Sequence, residues 1–274
     1  MLESAVVLAA GENRRMGNSS APKSLLPLGS DDSAGPTFLS RHLGLLRRAG
    51  AERVFLVVSP ANRAAFEPFA DDVVELVVCG DGRERTGSSV SMLAGLRALL
   101  AWRPHGCRTV ISDADIVYEQ ALLDHVSATR GSRLFTIERT NGDTEEVRVY
   151  GRSPAQPVLI GKGLASGMTS GLELLGESLG LILLDAAETM SVTELTRWAV
   201  GDPPRQRPYG YGGRLSEHEE MWQYLFTLGR LQVSRVSKDL LFSECDFPED
   251  HAYVREELFP AITRRDRGAV AAPR

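Results

Sequence analysis

Near-continuous apolar runs alternate with helically spaced apolar residues through the first half of this chain, and that alternation restricts the fold more than any other feature. Ala5-Val6-Val7-Leu8, Arg53–Val58, 73–78 and 109–112 read as buried strands. Between them, 38–49 and Ser88–Trp102 carry apolar residues at helical spacing, with Met92, Leu93, Leu96, Leu99 and Leu100 on one face of the second. Strands that are apolar on both faces and separated by helices predict a largely parallel sheet covered on both sides. Such sheets bind ligands beyond the carboxyl ends of their strands. The loop at Gly11 and the acid Asp113 both follow strands, so they are expected at one crevice.

The rhythm changes after about residue 132. Short strands are expected at 134–138, 147–150, 157–160 and 179–184, joined by polar turns, which makes this half a mixed-sheet region laid over the crevice. The stretch 201–213 is rich in Gly, Pro and Arg and reads as a long loop or lid. Ser216, with Glu219 three residues on, is expected to open a helix to Gly229. A last helix is expected over 249–258, followed by a frayed tail from Arg264.

The first strand runs into Leu8-Ala9-Ala10-Gly11-Glu12-Asn13-Arg14-Arg15-Met16-Gly17, with Pro22-Lys23-Ser24 beyond. Small residues let the backbone turn tightly and approach a ligand. Backbone N–H groups with Arg15 and Lys23 suit a polyphosphate. The glycine spacing is neither that of a Walker loop nor that of a dinucleotide fingerprint. Further on, Asp113-Ala114-Asp115 closes a strand and offers hard oxygen ligands of the kind Mg²⁺ takes alongside substrate phosphates. Glu244-Cys245-Asp246-Phe247-Pro248-Glu249-Asp250 places more acid just before a helix. As helix-start residues, Glu249 and Asp250 fit first-turn acids better than Asp246 does.

These motifs resemble those of the nucleotidyltransferase (pyrophosphorylase) superfamily. Its loop reads Leu-Ala-Ala-Gly-x-Gly-x-Arg-Met-Gly followed by Pro-Lys, and Asn13 stands where the family usually has Gly. Asn tolerates positive φ, so the turn survives. The resemblance implies a three-layer Rossmann-like α/β fold, a mostly parallel sheet with a mixed-sheet acceptor-binding region. It implies a single domain over 1–263, with a nucleotide-binding half to about 131, an acceptor-binding half beyond it and a flexible tail at 264–274. It implies Leu8, Ala9, Ala10, Gly11 and Asp113 at the nucleotide, and Arg15 and Lys23 as the catalytic cations on the departing pyrophosphate. Mg²⁺ would be held by Asp115 and Asp246, with Asp113 assisting directly or through water.

Gly82 to Val90, with Gly95-Leu96 beyond, resembles the base-binding stretch of cytidylyltransferases with altered spacing; Gly80, Gly82 and Ser89 are the candidates there. Ser88 or Ser89 equally fits an ordinary helix N-cap. Asp143 to Val149, Ile160-Gly161-Lys162 and Gly176-Glu177-Ser178-Leu179-Gly180 follow in the order of the phosphocholine cytidylyltransferase-like branch. That likeness implies acceptor contacts by Glu145, Lys162 and Glu177. Arg205 and Arg207, with Tyr209 and Tyr211 between glycines, add guanidinium forks that suit a compact anionic acceptor such as a carboxylated phosphonate, with phosphocholine second.

The expected activity is therefore transfer of CMP from CTP to a small phosphate or phosphonate, with release of pyrophosphate. A sugar-1-phosphate or inositol-phosphate acceptor is the first alternative, and a catalytically idle nucleotide sensor the second. A net charge of −5 argues against a general nucleic-acid surface. Cys79, Cys107 and Cys245 lie at apolar runs and read as buried free thiols. No signal-peptide pattern or membrane-length apolar run is visible, so cytoplasm is the expected location and no membrane partner is expected. The five histidines show no metal-ligand spacing, and none is given a catalytic role.

Overall fold

The computed structural model of the chain describes residues 2–11, 14–16, 21–29, 35–80, 87–138, 146–200 and 217–271. Strands β1 (Ser4–Leu8), β2 (Arg53–Val58), β3 (Val74–Val78) and β4 (Thr109–Asp113) lie parallel in the order β4-β1-β2-β3. Helices α1 (Phe38–Arg48), α2 (Arg63–Phe66) and α3 (Ser88–Trp102) connect them. The alternation along β1 makes the layers. Ala5 and Val7 pack with Leu39, Leu43 and Leu46 of α1, whereas Val6 packs with Met92, Leu96 and Leu99 of α3. Each Val, Leu or Met side chain so removed from water is worth roughly 1.5–3 kcal/mol, which is why the runs are apolar on both faces.

The sheet continues through β9 (Glu173–Leu184), antiparallel to both β4 and β6 (Arg133–Ile137), and ends at β10 (Gln232–Val236), parallel to β6. β7 (Arg148–Ser153) and β8 (Gln156–Gly161) form a hairpin that pairs with the start of β9. The expected change from parallel to mixed sheet is present. Helices α4 (Gln120–Ala128), α5 (Ser166–Thr169), α6 (Ala186–Ala199) and α7 (Glu219–Thr227) complete the layers. A separate ribbon joins β5 (Ile116–Tyr118) to β11 (Phe242–Glu244), antiparallel.

Three expectations need correction. The chain end is not frayed from Arg264. Helix α8 (Pro248–Tyr253), a π turn at Val254–Leu258 and helix α9 (Phe259–Ala271) run on to Ala271. Val254, Leu258 and Ile262 are buried against Leu28, Phe38 and Cys245, and Asp266 binds Arg41 and the backbone N–H of Gln120. These anchors are long-range, so a reading of local composition misses them. Helix α7 begins at Glu219 behind His218, and Ser216 lies outside the described residues. Neither serine caps α3, because Gly87 is its N-cap and Ser88 is its first residue.

Gly95 has a packing role. A Cβ there would stand 2.4 Å from Val6 Cγ1 and 2.8 Å from Val57 Cγ2, so only glycine lets α3 lie this close to the sheet. No helix among the described residues is long and apolar enough to cross a membrane.

Candidate active site

Register sets the site. Leu8, the last residue of β1, pairs with Asp113, the last of β4, so the Gly11 loop and the acid motif leave the sheet at one level. The backbone N–H of Ala114 donates to the Leu8 carbonyl at 3.2 Å, and that of Ala9 to Val57 at 2.8 Å. Leu8 and Ala10 are half-buried, Ala9 is buried, and Gly11 is exposed with open space where a Cβ would be. Gly80, at the end of the neighbouring strand β3, adopts φ +72°, the left-handed region that favours glycine. Ser89 is fully buried in the first turn of α3.

The second acid motif reaches the first through the β5–β11 ribbon. Glu244 pairs with Ile116, and Cys245 N–H donates to the Asp115 carbonyl at 3.0 Å. Asp246 does not cap the following helix. Asp250 does that work, accepting from the N–H groups of Asp246 and Phe247 at 2.9 and 2.7 Å, which leaves the Asp246 carboxylate to face the crevice. Asp115, Glu244 and Asp246 each offer an oxygen, and the three oxygens lie within 4.8 Å of one another. Asp113 is not part of this group; Glu244 stands in it instead. Glu244 is quoted within the sequence motif, but its role depends on ribbon pairing that no local pattern reveals.

Lys23 sits against this group. Its Nζ is 2.5 Å from Asp115 Oδ2 and 2.8 Å from Asp246 Oδ1, and its side chain is only 17% exposed. Burial alone would lower the affinity of that amine for its proton, but the two aspartates outweigh it and hold Lys23 charged. Burial likewise pushes Asp246 up, and Lys23, Arg15 and Lys162 more than reverse this, holding it below the usual carboxylate value. Arg15 lies 3.2 Å from Asp246 and over the Phe247 ring, with its side chain 43% exposed, so it remains open to an incoming anion.

Asp113 is different in kind. Burial first, then Asp115 and Glu219, push its carboxyl well above the ordinary value. Gly180, at φ +61°, makes room for it, since a Cβ there would lie 2.5 Å from Asp113 Oδ2. Glu244 is also raised, by desolvation in the crevice and by the three aspartates around it. Its side chain is open to solvent, so charge repulsion is the cause that persists when water enters. The hard, clustered oxygens and the ammonium already lodged among them fit a divalent cation such as Mg²⁺.

A crevice opens beside the acids. Lys162, Glu146, Glu177, Gly180, His218, Glu219 and Glu244 are among its lining residues. Lys162 and Glu177, both acceptor-binding candidates from the sequence, thus share this one crevice. Glu146, next to the expected Glu145, pairs with Arg148 at 2.8 Å. Gly82, Glu145, Arg205 and Arg207 lie outside the described residues. His218 is a residue that sequence reasoning passed over, because no ligand spacing marks it.

A family model described as the MobA-like NTP transferase domain matches residues 5–185. Among solved structures, the chain is similar to an inositol-1-phosphate CTP transferase from T. maritima, with a TM-score of 0.69 and 17% identity over 97% of each chain. At that identity the likeness is one of fold. No curated protein sequence matches the chain.

Proposed function

The chain belongs to the MobA-like NTP transferase domain family, a member of the nucleotidyltransferase superfamily, and from that premise we propose that it transfers CMP from CTP to a small phosphate- or phosphonate-bearing acceptor. The observation that carries the reading is the placement of Lys23 and Arg15 against Asp115 and Asp246, between the Gly11 loop and a crevice holding Lys162. Cations and carboxylates then flank the place where two phosphate groups must meet. Preference for CTP is supported by the Gly82–Val90 resemblance and by the activity named for the similar fold.

An oxygen of the acceptor attacks the α-phosphorus in line. One P–O bond forms there, the bond to the β-phosphate oxygen breaks, and pyrophosphate leaves with the electron pair. No protein nucleophile is needed, so the enzyme's work is positioning and charge neutralisation. Gly11 lets the loop backbone approach the triphosphate. Arg15 and Lys23 offset charge that grows on the β- and γ-phosphates. Lys162 orients the acceptor phosphate. Asp115, Glu244 and Asp246 would hold Mg²⁺, which supplies positive charge that lets two phosphate groups approach.

A sugar-phosphate or inositol-phosphate acceptor is the second reading. It is favoured by a crevice whose described lining includes several carboxylates, Glu177 and Glu219 among them, suited to hydroxyl groups. The test is pyrophosphate release from CTP, UTP, ATP and GTP with a panel of phosphates and phosphonates. Turnover confined to CTP supports the proposal. Equal use of purine triphosphates removes the cytidylyl assignment, and thermal stabilisation by nucleotide without any turnover identifies a sensor.

A further inference from the structure

We propose that His218 and Glu219 read a hydrogen-bond donor, an N–H or O–H, at the end of the acceptor remote from its phosphate or phosphonate. This rests on the nucleotidyl-transfer reading above and narrows its acceptor class. The argument begins at Ser88, on α3, whose hydroxyl meets three groups from the start of α7. Ser88 Oγ lies 2.6 Å from Glu217 Oε2, 2.8 Å from the backbone N of His218 and 2.9 Å from His218 Nδ1.

A serine hydroxyl has one hydrogen to give and two lone pairs to offer. Glu217, a carboxylate, only accepts, so it takes the hydrogen. The backbone N–H of His218 takes one lone pair. Nδ1 faces the other lone pair and must bring its own hydrogen. The neutral ring then keeps its lone pair on Nε2. That atom makes no hydrogen bond to any described residue, and His218 lines the crevice although it is only 6% exposed. The ring is braced edge-on by Trp222, with centroids 6.0 Å apart. Its direction is therefore fixed by packing and by Ser88 together.

Glu219, the next residue, also lines the crevice, and its Oε2 is shielded from solvent, makes no hydrogen bond and lies 3.7 Å from His218 Nδ1. A shielded carboxylate oxygen without a donor is costly, and proteins seldom leave one so. His218 Nε2 and Glu219 Oε2 are thus two acceptors without a hydrogen bond to any described donor, in neighbouring residues that line the crevice. A ligand amine or hydroxyl supplies the donor. A trimethylammonium head has no hydrogen to give, so phosphocholine satisfies neither atom.

The experiment measures kcat/KM by pyrophosphate release with matched acceptors. 2-Aminoethylphosphonate supplies the amine and propylphosphonate is its donor-free counterpart. Inositol 1-phosphate supplies hydroxyls, and phosphocholine the quaternary head. The wild type is expected to favour a donor-bearing acceptor over its donor-free counterpart by at least about 10-fold. His218→Phe should abolish most of that preference through the acceptor KM, with the KM for CTP unmoved, and His218→Gln should restore part of it. Equal losses on matched acceptors, or phosphocholine as the best acceptor, would overturn the proposal.

Ring ¹⁵N spectra of histidine-labelled wild type decide it independently of any variant's folding. The His218 ring should carry hydrogen on Nδ1 only, unlike His251, whose Nε2 donates to the Pro27 carbonyl, and the His218 Nε2 signal should move on adding a donor-bearing acceptor and not its counterpart. Hydrogen on His218 Nε2, or a His218 signal indifferent to every acceptor, would overturn it. Pyrophosphate release from none of the acceptors would instead overturn the reaction assigned to the site, while the spectra, which need no turnover, still judge the pair.

Discussion

The backbone N–H of Cys245 donates to the carbonyl of Asp115, and this one ribbon contact joins positions 130 residues apart, bringing Glu244 and Asp246 beside Asp115. Side chains at successive strand positions point to opposite faces. Cys245 is accordingly fully buried in the core formed by Leu28, Phe38 and Ile262, while Glu244 and Asp246 on either side of it join Asp115 in the oxygen cluster. Burial is also the first reason that the Cys245 thiol is pushed up to about 12, followed by Asp115. A neutral, inert thiol there anchors the motif without competing as a ligand.

The oxygen cluster gives the first prediction. Asp115→Asn and Asp246→Asn should each lower kcat/KM by at least about 100-fold, or roughly 3 kcal/mol of transition-state stabilisation. Glu244→Gln should weaken Mg²⁺ binding measured by calorimetry, whereas Asp113→Asn should weaken it less, because Asp113 lies outside the cluster. An Asp113 variant with the larger loss of metal affinity would reverse the two roles.

Lys23 gives the second. Its ammonium neutralises Asp115 and Asp246 at 2.5 and 2.8 Å, so Lys23→Ala leaves adjacent carboxylates unscreened. The variant should lose about 3 kcal/mol of stability in EDTA, the lower side of what breaking a buried pair costs. Mg²⁺ should then raise its Tm more than it raises that of the wild type, by occupying the same charge environment. Its kcat should fall as well as its kcat/KM, because the lost interaction grows as pyrophosphate leaves. A rise in KM alone would make Lys23 a uniform binding residue.

What the sequence revealed and concealed follows from the range of the interactions involved. The parallel sheet was legible because β1, β2 and β4 are short apolar runs whose burial on both faces is written locally. The Gly11 loop and Asp113 were placed correctly at one level because both are strand ends, and strand ends in such sheets share an edge. Glu244 stands in the second acid motif of the sequence, but its place in the oxygen cluster depends on pairing with Ile116, far away in sequence. Ser88 was misjudged for a similar reason. Its hydroxyl, a cap by local rules, is taken up by Glu217 and His218 just ahead of another helix. The last helix was cut short because Asp266 is a surface residue by composition and an anchor for Arg41 in fact.

Gly95 separates packing from recognition. The resemblance to a base-binding stretch includes Gly95-Leu96, yet a Cβ at Gly95 would collide with Val6 and Val57 inside the core. Gly95→Ala should therefore destabilise the fold by roughly 1–3 kcal/mol, the usual cost of overpacking, as read from urea midpoints. At a temperature where the variant stays folded, its KM for CTP should match the wild type. A selective rise in that KM without a loss of stability would place Gly95 at the base instead.

The last prediction concerns acid. His42 is wholly buried beneath the site, with Nε2 2.8 Å from Ser112 Oγ and Nδ1 3.1 Å from the Tyr118 hydroxyl. Burial, aided by Arg41, pushes its pKa down to about 4 from the ordinary 6.5. The folded protein therefore keeps this ring neutral where the unfolded chain already binds a proton. Stability is fully present above about 6.5, and falls as the pH drops toward about 4, because the unfolded state gains the proton first. The difference amounts to about 3 kcal/mol at 1.36 kcal/mol per unit. Urea titrations of the wild type from pH 7 to 4 should show this loss beyond that of the carboxylates. In His42→Gln, whose amide does not titrate, the same pH series should lose about 3 kcal/mol less. The variant will start from a lower stability, so the slope against pH is the quantity to compare. Identical slopes for the two proteins would mean that His42 is as free to take a proton in the fold as outside it.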